Sequence, residues 1–338
     1  MMRFKIGALA VCIIALSACS GGSGGSPASP LPLGNGADPP APSSLLYLSQ
    51  PDNSGHTIYV FPGSGSGSTA PLGSIGTGSA NAYTVALDGA GNIYATLAGS
   101  SGFNEIAEYA AGSIGNVPPI RDLKGPDTHL NFSYQHDMNV AEDGTIVAVM
   151  QTITKQCPAP WEIDVYSNTA NGDATPVRTI AGTNTQLHQG WPVMDANGTI
   201  YVAIAATNQI LIFNAGDSGN VAPDRIIQGS NTGLNGPMDI TITPGGKLAV
   251  MNQDGQTNES ITEYSLSSSG NVSPVNTITG IGGAESISFD QSGNLWTLAN
   301  INGQLAVNEY AAGATGTVTP IRTISPNGIT AMIDIAAR

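Results

Sequence analysis

The sequence predicts an all-β fold: a six-bladed β-propeller, four antiparallel strands per blade, closed by pairing of the N-terminal strand with the C-terminal one. Three observations carry this expectation. The chain repeats itself six times at a period near 50 residues. Each repeat divides into four short apolar runs bounded by turn residues. The two ends supply complementary fractions of one repeat.

The repeat is an aromatic residue with Gly six positions later, Pro ten later and an aliphatic fourteen later. Its copies are Phe61/Gly67/Pro71/Ile75, Tyr109/Gly115/Pro119/Leu123, Tyr166/Gly172/Pro176/Ile180, Phe213/Gly219/Pro223/Ile227, Tyr264/Gly270/Pro274/Ile278 and Tyr310/Gly316/Pro320/Ile324. The intervals between aromatics are 48, 57, 47, 51 and 46 residues. Within a repeat, runs such as Met238–Thr243 and Lys247–Asn252 flank Pro244-Gly245-Gly246, which is strand and turn chemistry. No segment sustains a 3.6-residue apolar period. The last repeat stops after Ile329–Ile335. The lone first run, Leu45–Ser49, matches second strands such as Ile200–Ala203 and is expected beside it in a composite blade, leaving no open edge.

Upstream of the repeats lie an export signal and a tether. Arg3 and Lys5 precede the apolar run Ile6–Leu16, which is too short to span a bilayer. Leu16-Ser17-Ala18-Cys19 has the form of a bacterial lipobox, so residues 1–18 read as a lipoprotein signal peptide and Cys19 as the lipidated residue. Residues 19–44 then carry the lipid and a Gly/Ser/Pro tether spanning roughly 25–30 Å, and residues 45–338 form the propeller. The expected location is the cell envelope, and Ser20 after the Cys favours the outer membrane by resemblance to enterobacterial sorting. The membrane is thus one partner, reached through lipid.

Composition narrows the function. Net charge is −14 and only 10% of residues are charged, which argues against binding a phosphate backbone. Three Cys cannot build a disulfide scaffold. There is no phosphate loop and no nucleophile elbow.

The segment Leu234-Asn235-Gly236-Pro237-Met238-Asp239-Ile240-Thr241-Ile242 followed by Gly246-Lys247-Leu248-Ala249-Val250 resembles an NHL-type repeat, as do Ala284–Asp290 with Gly293-Asn294-Leu295-Trp296 and the stretch from Asp195 to Val202. The resemblance covers residues 45–338 and extends loosely to the regucalcin/gluconolactonase and streptogramin-lyase propellers. It implies six blades with the first strand of each at the axis. It implies no single activity, because propellers host enzymes, receptors and scaffolds. NHL copies usually carry basic residues near the third strand. Here Glu108, Asp164, Glu263 and Glu309 stand there, contrary to a nucleic-acid partner.

Within the repeats, Asp88, Asp195, Asp290 and Asp334 are read as turn residues ending inner strands. The third-strand aromatics are expected between blades, the prolines on outer edges. Arg121, Arg178, Arg225 and Arg322 are read as charges that oppose strand pairing between molecules.

Non-repeating residues fall on the face formed by the connections between second and third strands and between blades. The inserts Gly125–Gln135 and Thr152–Pro160 lie there, with Cys157 in the second. The candidate ligand face comprises His129, Phe132, Tyr134, His136, Asp137, His188, Trp191, Asp239, Asn252 and Glu285, with His56 nearby. Phe132, Tyr134 and Trp191 offer stacking area for a sugar or peptide. His129, His136 and His188 are the candidate imidazole ligands of a divalent cation, though no tight spacing such as HExxH supports one. Hydrogen-bonded or solvated histidines are the structural alternative, with no cofactor. The sequence thus favours a binding module for a protein, glycan or small molecule. The alternative is a metal-dependent lactonase or lyase of the gluconolactonase/streptogramin-lyase type.

Overall fold

The computed structural model describes residues 44–50, 58–78, 80–98, 104–130, 138–151, 160–253, 259–301, 303–327, 329 and 332–338. Cys19, His56, Phe132, Tyr134, His136, Asp137 and Cys157 lie outside these residues.

Six sheets stand around an axis, each with four antiparallel strands, and two of them gain a short parallel fifth strand, Gly316–Thr317 or Gly67–Thr69, from the next blade. From the axis outward, blade 1 is Asn81–Leu87, Ile93–Ala98, Asn104–Tyr109 and Arg121–Lys124. Blade 2 is Met138–Val140, Ile146–Gln151, Trp161–Tyr166 and Arg178–Ala181. Blade 3 is Trp191–Met194, Ile200–Ile204, Gln209–Phe213 and Arg225–Ile227. Blade 4 is Pro237–Ile242, Lys247–Asn252, Ser260–Ser265 and Asn276–Thr279. Blade 5 is Ala284–Phe289, Leu295–Ile301, Gln304–Tyr310 and Arg322–Pro326. Blade 6 combines the chain ends: Asp334–Ala337, Leu45–Ser49, Ile58–Pro62 and Gly73–Ile75. Its register pairs Leu46 with Ala337 and Ser49 with Asp334. The inner strand therefore starts at Asp334, later than the apolar run Ile329–Ile335 suggests. At its other end Arg338 donates its amide to Leu45 O, and Gly63 donates to Ser44 O. The chain thus enters the ring beside the turn between third and outer strands, on the face opposite the turn that follows Lys124.

Second strands are buried on both sides because neighbouring blades cover both faces; Ile200–Ile204 is buried throughout. The core accordingly falls into six clusters, one per joint between blades. Each holds one repeat aromatic: Tyr109, Tyr166, Phe213, Tyr264, Tyr310 or Phe61. All six are at most 2% exposed.

The repeat glycine has a specific task. The aliphatic of each blade bridges the glycine of the next: Ile75 to Gly115, Leu123 to Gly172, Ile180 to Gly219, Ile227 to Gly270, Ile278 to Gly316 and Ile324 to Gly67. All six glycines have φ between 60° and 92°, and a β-carbon on any of them would meet nothing within 4 Å. Glycine is used here for the left-handed backbone, not for space.

The arginines behave otherwise than as edge charges. Arg121 pairs with Glu108 and donates to Tyr94 Oη (2.9 Å) and to Ala170 O of the next blade (3.1 Å). Arg178 donates to Asn214 O (3.1 Å) and Gly198 O (3.2 Å). Arg225 donates to Leu266 O and Ser268 O, both at 2.9 Å. Arg322 reaches Gly63 O. Each guanidinium caps turn carbonyls of the following blade, which its fork of donors suits.

Candidate functional site

The six inner strands enclose an axial channel of about 580 Å³. One position, four residues before the inner turn, recurs on the inner strands: Thr84, Trp191, Asp239, Ser286 and Asp334 among the described residues, all but Ser286 lining the channel. Asp239 Oδ2 accepts the Ile287 amide at 2.8 Å, and Asp334 Oδ2 accepts the Val85 amide at 2.9 Å. Asp334 Oδ1 also accepts the Ser286 hydroxyl at 2.7 Å. These carboxylates clamp one inner strand to the next. Asp334 is thus a strand-opening clamp, not the turn residue that its spacing suggested. The turn role holds for the other three. Asp88 accepts the Asn92 amide (2.8 Å), Asp195 those of Asn197 and Thr199, and Asp290 those of Ser292 and Asn294 (all 2.9 Å).

Trp191 lines the channel but is only 6% exposed. Little of its ring is free for stacking. Its buried indole N–H has no acceptor among the described residues. Asn252 is buried and internally satisfied: it donates to Thr262 Oγ1 (3.1 Å) and accepts the Asn235 amide (3.0 Å). Glu285 stands at the bulge of its inner strand, where the ladder register shifts between Ala284 and Ser286. His188 is exposed.

His129 lies elsewhere on the rim, in a turn that the sequence reading missed. Blades 1, 2 and 3 leave their outer strands through equivalent turns, Gly125–Leu130, Gly182–Leu187 and Gly229–Leu234. The Thr of each (Thr128, Thr185, Thr232) donates its hydroxyl to the turn glycine's carbonyl and accepts the leucine amide. Asp173, Asn220 and Asn271 of the following blades accept the amides of Asp127, Asn184 and Asn231, each at 2.7 Å. The signal for this motif is the repeated Gly-x-Asp/Asn-Thr-x-Leu. Its fifth residue is left-handed: His129 at φ 61°, Gln186 at 58°, Gly233 at 73°. An imidazole here stands where glycine would be unstrained.

From that turn His129 Nδ1 comes within 3.2 Å of Asp164 Oδ2. Asp164 is fully buried on the third strand of blade 2, and the Thr179 hydroxyl donates to its Oδ1. Glu162, two residues earlier and 7% exposed, shares that strand face. One ligand atom from each of His129, Glu162 and Asp164 lies within 4.8 Å of the others. Burial and the Asp164 carboxylate push the Glu162 carboxyl up to about 7, with His129 opposing. Burial also raises Asp164, while Thr179 and His129 pull it down. Among the described residues this is the single such group of three, and His188 does not join it.

No protein-family model matches the chain, and no curated protein is similar to it in sequence. Solved structures do resemble it. A Bacteroides caccae protein of unknown function aligns with a TM-score of 0.57 at 12% identity, over 87% of this chain and 98% of that one. A chain of a nidogen–laminin complex aligns with a TM-score of 0.55 at 12% identity, with the same coverage. The Pseudomonas aeruginosa periplasmic gluconolactonase aligns with a TM-score of 0.55 at 11% identity, over 87% and 98%. At such identities the likeness shows the propeller fold alone.

Proposed function

We propose that the chain is an envelope-anchored propeller, lipidated on Cys19, that works as a binding module through its loop-rich face and channel mouth. The signal-like residues 1–18 and the lipobox support the anchor, and the NHL-type repeats support a scaffold of this class. One observation carries the preference for binding over catalysis. Asp88, Asp195, Asp239, Asp290 and Asp334 on the channel wall each accept backbone amides that hold turns or adjoining strands. General acid–base chemistry needs a carboxyl poised to exchange protons with a substrate, and these five are engaged in holding the ring. The Trp191 N–H and the Thr84 hydroxyl are buried donors on that wall without a partner among the described residues, and they suit a ligand bearing acceptor oxygens.

The test is a thermal-shift and calorimetric screen of the detergent-solubilised full chain against soluble oligosaccharides, glycan fragments of the cell wall and peptides. The expected result is saturable binding of one class, weakened by Trp191→Phe. Turnover of a sugar lactone at enzymic rates would overturn this reading in favour of a lactonase.

A further inference from the structure

We propose that His129, Glu162 and Asp164 bind one divalent cation of the zinc type across the joint between blades 1 and 2. The proposal stands apart from the channel reading, because these residues lie on the rim and none of them lines the channel.

The spacing fits a small four-coordinate ion. Metal–ligand bonds of about 2.0–2.1 Å in a tetrahedron place adjacent ligand atoms about 3.3 Å apart. His129 Nδ1 and Asp164 Oδ2 stand 3.2 Å apart. The third ligand atom lies within 4.8 Å of both, so closing the set moves the Glu162 carboxylate by at most about 1.5 Å relative to that edge. Thr179 occupies Asp164 Oδ1 and leaves Oδ2 directed at His129. A hydrogen-bonded ligand carboxylate of this kind is how metal sites fix their ligands.

Glu162 is the second, independent observation. It is more than nine-tenths buried, it is aimed at the other two groups, and it accepts no hydrogen bond among the described residues. The bland alternative is a His129–Asp164 ion pair beside a protonated Glu162. It accounts for two residues and gives the Glu162 carboxyl no protein hydrogen bond among the described residues. A cation accounts for all three.

Comparison between blades sharpens the point. Blade 1 also places a glutamate four residues before its aromatic, Glu105, and sets Lys124 opposite it in the ladder, with Nζ 3.7 Å from Oε2. In blade 2 the residue opposite Glu162 is Ala181. Blades 3, 4 and 5 carry Gln209, Ser260 and Ala306 at that position, and Leu211, Thr262 and Asn308 where Asp164 stands. Blade 2 alone among these five pairs two buried carboxylates, and it lacks the lysine that blade 1 supplies.

The donor set selects the ion. One imidazole and two carboxylates suit zinc, or cobalt and manganese in its place, better than calcium, which takes six to eight oxygens. Three protein ligands leave a fourth position. The His129 side chain is 46% exposed, so that position opens to solvent, where water completes the shell.

The test uses the full chain in detergent, stripped with chelator and dialysed, then titrated with zinc by calorimetry and with cobalt by visible absorption. The expected result is one zinc per chain, an intense tetrahedral cobalt spectrum and a melting temperature raised by zinc. Glu162→Gln and His129→Gly are each expected to weaken zinc at least tenfold, while His188→Ala does not. His129→Gly preserves the turn, because Gly233 already occupies the same position in blade 3. Its unchanged metal-free melting temperature is the folding control. Failure to take up stoichiometric zinc would overturn the site. So would uptake that survives both ligand variants or is lost with His188→Ala.

Discussion

Ile324 of blade 5 bridges Gly67 of blade 6 in parallel, as Ile227 of blade 3 bridges Gly270 of blade 4. The repeat Gly–aliphatic spacing is therefore not a contact within one unit. Each glycine serves the blade before it, and each aliphatic serves the blade after.

Replacing Gly219 with Ala is expected to cost about 1–2 kcal/mol, the penalty of a β-carbon in the left-handed region. The φ there is 70° and no neighbour crowds the site. Gly229→Ala should cost more, because its β-carbon would also lie 2.5 Å from Asn271 Cγ. Urea unfolding of both variants checks the order, and equal losses would refute the distinction.

Arg225→Met is expected to lower stability by about 1–3 kcal/mol, because the Leu266 and Ser268 carbonyls lose a charged donor. Arg225→Lys should recover only part of it, since a single ammonium lacks the planar fork. A lysine variant as stable as the parent would show that charge alone matters.

Tyr264→Phe probes the turn Gly229–Leu234, the counterpart of the turn that carries His129. The Tyr264 hydroxyl donates to Thr232 O, as Tyr166 donates to Thr128 O. Phe213 occupies the equivalent place in blade 3. Losing the bond is expected to cost about 0.5–1.5 kcal/mol. Hydrogen exchange at the Leu234 amide, which bonds Thr232 Oγ1, should quicken if the turn loosens.

Removing residues 1–49 takes away the second strand of blade 6, whose Leu46, Tyr47 and Leu48 are fully buried. A loss of several kcal/mol is expected from the exposed apolar faces alone. A truncated chain with unchanged thermal unfolding would contradict it. Separately, Cys19→Ser should leave the protein extractable from membranes without detergent.

The ring was legible because its signals are local. A fixed aromatic–Gly–Pro–aliphatic spacing survives in a single sequence, and so do the matching ends. What each motif residue touches was not legible. Arg225 reads as an edge charge because its acceptors, Leu266 and Ser268, lie some forty residues on, in another blade. The rim cluster was half visible. His129 stands out in the sequence by its residue type, and the other histidines are its obvious candidate neighbours there. Glu162 and Asp164 sit in the run Trp161–Tyr166, which reads as an ordinary third strand. Their spacing of two on a strand covered on both sides was the available signal, since alternate residues share a face.

The entry of the polypeptide beside Arg338 has a geometric corollary. A fatty anchor some two dozen residues upstream would hold the molecule by its short-turn side, like a parasol fixed at the handle. The His129 rim would then look outward from the bilayer, towards whatever the surrounding compartment brings past.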